Sequence, residues 1–275
     1  MKMLLLDGGG VFGRVQSRIL VESGCIDKFD AFAGTSIGSP QVLAIALGKS
    51  EMVVPEFFDK WMPRVFHTTW LRRINVLTSK YPDAGLNKAL QSVFGSATFG
   101  QVRKPVFITA ADIGRKTLKV FSSVNFDDAS WPAWEVCRCA TAAETYFQPW
   151  KGFADGGIYA NNPSMVGLAA AVRVLKAKIE EMEILSIGTG NSSGVSDPPP
   201  RTRLGTGFWV VEAMLNGAAN QMHEYFVKSM PIKRCVRIQF IRDPSWKMDD
   251  PKAMYYAERR WALEIQDAIK LVKEF

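Results

Sequence analysis

Ser36 lies in Gly34-Thr35-Ser36-Ile37-Gly38, after the apolar run Asp30-Ala31-Phe32-Ala33 and before the helix-like stretch Ser39 to Leu47. A G-x-S-x-G segment between a strand and a helix turns the chain so sharply that the serine backbone is strained. Glycines two residues to either side keep neighbouring side chains clear, and the hydroxyl stands exposed at the end of a sheet. The first amides of the following helix point toward the same place, where an oxyanion forms when a serine attacks an ester.

Two further glycine clusters extend this chemistry. Leu4-Leu5-Leu6 reads as a short buried strand that runs into Asp7-Gly8-Gly9-Gly10-Val11-Phe12-Gly13, and Arg14 to Glu22 then has helical spacing. Consecutive glycines leave backbone N–H groups unshielded, so Gly8, Gly9 and Gly10 are candidate anion donors, with Gly13 closing the loop. The second cluster, Ala154 to Pro163, puts Asp155 on a tight turn with Gly156 and Gly157, before a helix begun by Pro163. Gly8 to Gly13 also fits the dinucleotide fingerprint G-x-G-x-x-G, which expects an acidic residue about 20 positions on, at the end of a second strand. Asp30 has the distance but precedes the strand instead of closing it, and the strand runs into the serine turn, which disfavours a nucleotide site.

With these pieces in order, the chain resembles the patatin-like phospholipase family. Asp7 to Gly13 matches the oxyanion loop, Gly34 to Gly38 the nucleophile elbow and Asp155 to Gly157 the catalytic aspartate; Cys139 to Pro149 and Ile184 to Gly190 add to the likeness. It spans about residues 1 to 190, and 191–275 are expected to complete the same domain. One departure stands out: the family's loop usually carries Lys or Arg where this chain has Phe12, and Arg14 comes two residues later.

The resemblance implies a single α/β domain with a central, mainly parallel sheet flanked by helices. It makes Ser36 the nucleophile and Asp155 the base, a dyad without histidine, supported by the motif glycines Gly13, Gly34, Gly38, Gly156 and Gly157. The implied reaction is hydrolysis of fatty-acyl esters of membrane phospholipids through an acyl-enzyme, with no cofactor and no metal. Alternatives on the same frame are a neutral-lipid lipase, a thioesterase, a general carboxylesterase or a non-catalytic lipid-binding protein.

The histidine count bears on the dyad independently, because His67 and His223 are the only two in the chain. His223 satisfies the order Ser, Asp, His of the α/β-hydrolases, but Ala213 to Phe226 reads as a helix, whereas that histidine comes from a loop. His67 precedes any triad aspartate and reads as a loop or lid residue. An ordinary aspartate titrates near ~4, so a dyad needs its base made stronger by partial desolvation, or a strong oxyanion site.

The remaining sequence describes the frame. At 275 residues and 47% hydrophobic content, alternating strand and helix signals favour one α/β domain. Strands are predicted at Pro105 to Ala111, Thr117 to Ser123, Met182 to Ile187 and Cys235 to Ile241, and helices at Ser164 to Lys178 and Ala253 to Lys273. Ser192 to Arg203, with three consecutive prolines, reads as a flexible loop. Cys25, Cys137, Cys139 and Cys235 lack metal or redox spacing and read as reduced, mostly buried thiols; no EF-hand-type loop is present.

No signal peptide or membrane-spanning run is evident, so a cytoplasmic, soluble protein with peripheral membrane association is expected. A formal charge of +7 favours anionic bilayers. Phe57 to Arg73, which mixes aromatics with basic residues, is either an interfacial contact or a segment packed on the core. The basic residues are scattered and match no nucleic-acid module, which argues against nucleic acid as a partner. An activator and the oligomeric state leave no trace in the sequence.

Overall fold

The computed structural model describes residues 1–69, 78–192, 202, 205–206 and 218–275. Nine short strands are described: β1 (Lys2–Leu6), β2 (Ala31–Thr35), β3 (Val106–Asp112), β4 (Thr117–Ser122), β5 (Phe153–Asp155), β6 (Glu183–Ile187), β7 (Asn191–Ser192), β8 (Arg234–Ile238) and β9 (Ile241–Arg242). The main sheet runs β4-β3-β2-β1-β6-β8, with β5 also paired to β3, and β7 and β9 form a separate two-stranded ladder. The inner pairs β3-β2, β2-β1, β1-β6 and β6-β8 are parallel, whereas β4 and β5 run antiparallel to β3.

A parallel sheet must have both faces covered, and the pleat of β1 shows how this chain does it. Leu4 and Leu6 enter one apolar cluster with Val15, Ile19 and Val42, from helices α1 (Gly13–Ser23) and α2 (Gly38–Ala46). Met3 and Leu5 enter the cluster on the other face with Leu168 and Ala171 of the helix Ser164–Arg173. The result is the α/β architecture expected, with helices on both sides of a largely parallel sheet.

Several boundaries differ from the sequence reading for identifiable reasons. The predicted helix from Ser164 ends at Arg173, and Lys176, three residues on, takes a left-handed φ of 58° that keeps it from resuming. The predicted terminal helix is two helices, Pro251–Arg260 and Ala262–Glu274, parted at Trp261. Trp261 is buried, stacks on Phe240 at 4.7 Å and donates from Nε1 to the Ile241 carbonyl at 2.9 Å, so its side-chain demands break the helical path. The predicted strand Cys235 to Ile241 likewise splits into β8 and β9.

Phe57 to Arg73 begins in a π-helical stretch, Val53–Trp61, followed by the short helix Met62–Val65. Phe57, Phe58, Met62 and Val65 are buried, while Lys60 and Arg64 stay outside near the ring of Trp61. The apolar side chains of its described part therefore pack on the core, while its basic residues face outward; 70–73 lie outside the described residues. So do 193–201 and 203 of the predicted flexible loop and 213–217 of the predicted His223 helix, which is described as Ala218–Ser229.

Candidate active site

Strand register brings the two candidate catalytic residues together. Along one edge of β3, Thr35 of β2 sits opposite Thr109, and Asp155 of β5 sits opposite Ala110, the next residue along. β5 thus takes over the edge where β2 leaves it, and the residue after Thr35 is Ser36. On its other side β2 pairs with β1, Gly34 opposite Leu6, so the glycine loop leaves β1 alongside the elbow. All these groups lie outside the carboxyl ends of parallel strands, where α/β sheets open their crevices.

Ser36 has φ of 49°, a left-handed conformation that is costly for a residue with a Cβ. Close contact around it holds that turn. A Cβ on Gly38 would come within 2.2 Å of the Leu6 carbonyl oxygen, so only glycine lets α2 start this near β1. Gly34 packs against Gly38, Gly13 opens α1 against Ile37 and Gln41, and Gly156 and Gly157 form the turn after Asp155.

Within this frame Ser36 Oγ donates to Asp155 Oδ2 at 2.6 Å, and the Gly157 amide donates to Oδ1 at 2.8 Å. Asp155 is fully buried. Burial pushes its carboxyl up to about 6, against the opposing pull of the Ser36 hydroxyl and the Gly157 amide. Desolvation thus makes the Asp155 carboxylate a stronger base than an ordinary aspartate.

The glycine loop is narrower as an anion site than its sequence suggests. The Gly8 amide already donates to the Asn161 carbonyl at 3.0 Å, which removes Gly8 from the three expected donors. Its carbonyl accepts from Thr189 Oγ1 at 2.6 Å, so the loop is held from both sides. Gly9 and Gly10 remain as donor candidates. Gly10, at φ 58° and with the Met248 carbonyl 2.2 Å from where a Cβ would sit, admits no other residue without rearrangement.

Below the loop, Arg237 donates to Asp7 through both terminal nitrogens, one of them at 2.8 Å to Oδ1, and to Ser186 Oγ at 2.7 Å. This ion pair is buried and ties the start of the loop to β8 and β6. Phe12, at the position where a basic residue was expected, turns into the core against Trp246 and Trp261, with the Arg242 guanidinium 5.1 Å from its ring centre. Arg14 turns away to pair with Asp59 and Glu258.

The two histidines stand apart from the pair. His223 Nδ1 lies 2.6 Å from the Asn162 carbonyl, and His67 is exposed after the helix Met62–Val65. No imidazole comes between Ser36 and Asp155. Cys25, Cys137 and Cys139 are buried free thiols and Cys235 is half-buried; burial pushes Cys139 up to about 12, which makes it a poor nucleophile.

A cleft, partly open to solvent, leads to Ser36. Its walls are mostly apolar: Phe57, Met62, Val65, Phe66, Leu86 and Phe147 among them, with Gly10 and Ser36 at the floor. Sequence reading did not group these residues as one wall because they come from three stretches of chain, 57–66, 86 and 147. It also passed over Glu144, Asn161 and Arg237, although Glu144 lies inside the stretch Cys139 to Pro149 that carried part of the resemblance.

The family profile described as patatin-like phospholipase matches residues 4–167. The chain belongs to the patatin-like phospholipase family. A cGAMP-activated phospholipase of Escherichia coli is 31% identical over 221 residues, covering 68% of this chain and 62% of its own length. The 85/88 kDa calcium-independent phospholipase A2 of Mus musculus is 29% identical over 231 residues, covering 70% of this chain and 28% of its own. The chain thus spans about three fifths of the bacterial relative and little more than a quarter of the mouse one. Among solved structures, VipD from Legionella pneumophila is similar over 99% of this chain and 66% of its own, at 14% identity and a TM-score of 0.49.

Proposed function

We propose that this patatin-like chain is a serine acyl hydrolase that cleaves fatty-acyl esters of membrane phospholipids. The observation that carries the reading is the 2.6 Å hydrogen bond to a buried Asp155 carboxylate from Ser36 Oγ, Ser36 itself lining an apolar cleft. Both relatives named above are phospholipases by name, which supports lipid as the substrate class.

The geometry supports the following sequence of steps. An acyl chain lies along Phe57, Met62, Val65 and Phe66, and its ester carbonyl meets Ser36. Asp155 takes the Ser36 proton as Oγ bonds to the carbonyl carbon, and the Gly9 and Gly10 amides receive the oxyanion. Collapse breaks the ester bond, and Asp155 returns the proton to the departing lysolipid oxygen. Asp155 then takes a proton from water, the resulting hydroxyl attacks the acyl-serine, and the fatty acid leaves as Ser36 recovers its proton.

The formal charge of +7 suits peripheral association with an anionic bilayer surface. No described helix is long and apolar enough to cross a membrane. The test is fatty-acid release from mixed anionic and zwitterionic phospholipid vesicles by the intact protein, Ser36→Ala and Asp155→Ala. Because one relative is by name cGAMP-activated, each is assayed with and without that cyclic dinucleotide. Release lost in both variants supports the dyad. Release that survives Asp155→Ala overturns the base assignment, and cleavage of only soluble or neutral esters overturns the substrate class.

A further inference from the structure

Glu144 is a second buried carboxyl beside the base, and the catalytic scheme above gives it nothing to do. Both of its oxygens are shut off from solvent, and neither has a hydrogen-bond partner. A charged carboxylate left in that condition is strongly unfavourable, so the group must be neutral or must act on something.

Its setting is tightly built. Glu144 lies in the bend between the helix Ala133–Ala140 and β5, where the Asp155 amide donates to the Ala142 carbonyl at 3.0 Å. Tyr146 and Phe147 donate from their amides to the Ala143 carbonyl at 3.1 and 3.0 Å. Thr145, the next residue, is β-branched yet held at φ 69°, a strained conformation that persists only where its surroundings impose it. Ala143, Tyr146 and Phe147 of this bend line the same cleft as Ser36.

We propose that Glu144 is a positioning residue for the dyad: a neutral acid beside Asp155 whose ionisation raises the proton affinity of the base and so speeds removal of the Ser36 proton. This rests on the reading of Ser36 and Asp155 as nucleophile and base. Burial pushes the Glu144 carboxyl up to about 8, and the negative charge on Asp155 adds to the rise. The two groups interact, so they lose their protons as a pair in two steps, Asp155 first.

The charges facing this pair are few. Ser36 and the Gly157 amide contact Asp155, and the Glu144 carboxyl has no hydrogen-bond partner. The other ion pair bordering the cleft, Lys80 with Asp249, is internally satisfied and also accepts the Tyr81 hydroxyl at 2.6 Å. No described cation is paired with either carboxyl.

The direction of the effect follows from where charge moves. As Ser36 attacks, negative charge leaves Asp155, next to Glu144, and appears on the substrate oxygen at the glycine loop. An ionised Glu144 favours that transfer. The reaction gains a second rise with pH, above the one that Asp155 itself produces.

The experiment follows phosphonylation of Ser36 by a fluorophosphonate from pH 5 to 9.5. In that step an Oγ–P bond forms, the P–F bond breaks, fluoride departs and the serine proton passes to Asp155. Wild-type protein is expected to show two ascending limbs, near pH 6 and pH 8. Glu144→Gln keeps the first limb and loses the second, so its rate equals wild type at pH 6.5 and falls about 3-fold below it at pH 9.

Glu144→Asp, which keeps the charge, restores a second limb. Thermal melts of each variant confirm folding. Superimposable profiles for wild type and Glu144→Gln overturn the inference. Uniform loss at every pH in a folded Glu144→Gln also overturns it, because that is the mark of a purely structural role. Labelling that persists in Ser36→Ala removes the nucleophile reading itself, an outcome distinct from either.

Discussion

The two sides of the cleft are built by different means. The floor consists of the β2 elbow, the glycine loop after β1 and the turn after β5, and its groups are placed by backbone: strand register, left-handed φ values and amides. The wall consists of Phe57, Met62, Val65, Phe66, Leu86 and Phe147, placed by side-chain packing between helices and loops. A floor fixed by main-chain geometry tolerates no change in its few residues, whereas a wall fixed by packing can alter in shape while staying apolar. On the proposed function, reaction and substrate selection fall to separate parts of the molecule.

The floor should break hardest. Ser36→Ala removes the attacking oxygen, and Asp155→Asn keeps the shape of the base while removing its ability to take a proton. Each is expected to lower turnover by on the order of 1000-fold or more, with little change in affinity for vesicles. A comparable loss from a wall substitution in a fully folded variant would erase the distinction. The measurement is initial-rate fatty-acid release together with vesicle sedimentation.

Gly10→Ala tests the floor through its backbone. The added methyl meets the Met248 carbonyl at 2.2 Å and demands a φ of 58° from alanine, so the loop must shift. Losing one aligned amide costs on the order of 100-fold in turnover. The corresponding change at Gly8 tests a different function, since its amide is occupied by Asn161: the added methyl would meet Asn161 Oδ1 at 2.1 Å and Ser36 Cβ at 2.9 Å, so it should act by crowding and not through a lost donor. Comparing the two variants by kcat against KM sharpens which amides face the oxyanion.

This contrast also explains what could be read from the sequence. Ser36 and Asp155 were legible because left-handed turns and close backbone contacts require glycine at fixed spacings, and such requirements are written locally. The parallel strands were legible as short apolar runs. By contrast, Phe57 and Leu86 reach one cleft from a π-helical stretch and from the helix Asp83–Phe94, a proximity that no local pattern encodes. The commitment of the Gly8 amide to Asn161 was hidden for the same reason, being a contact across some 150 residues. Phe12 is the converse case: its unusual identity was visible, but only its stacking on Trp246 and Trp261 shows that it belongs to the core.

The pH dependence of the floor follows from the burial of Asp155. With its carboxyl pushed up to about 6, the base is protonated and idle at lower pH, so activity should fall about 10-fold for each unit below that value. Stability runs the opposite way. A carboxyl raised above its ordinary value of 3.8 holds its proton more tightly in the folded state, so the stability it adds is complete below 3.8 and is lost as pH rises through about 6. Melting temperature and activity should therefore move in opposite directions across that window. Asp155→Asn should flatten the melting trend, a check by differential scanning calorimetry that needs no substrate.

The wall should yield the smallest effects, and of a different kind. Phe66 is half-buried, meets Tyr81 edge-on at 5.2 Å and lines the cleft, so Phe66→Leu opens space beside the acyl chain without touching Ser36 or Asp155. Each buried methylene contributes about 0.8 kcal/mol, equivalent to about 4-fold in kcat/KM. The variant should favour chains longer by one or two carbons by a factor of that size, while its pH profile stays that of the wild type. Competition between phospholipids of graded chain length, read by mass spectrometry of the released acids, measures the shift. If the preference stays fixed while turnover drops, Phe66 supports the floor after all, and the cleft is one coupled unit in which packing and register cannot be separated.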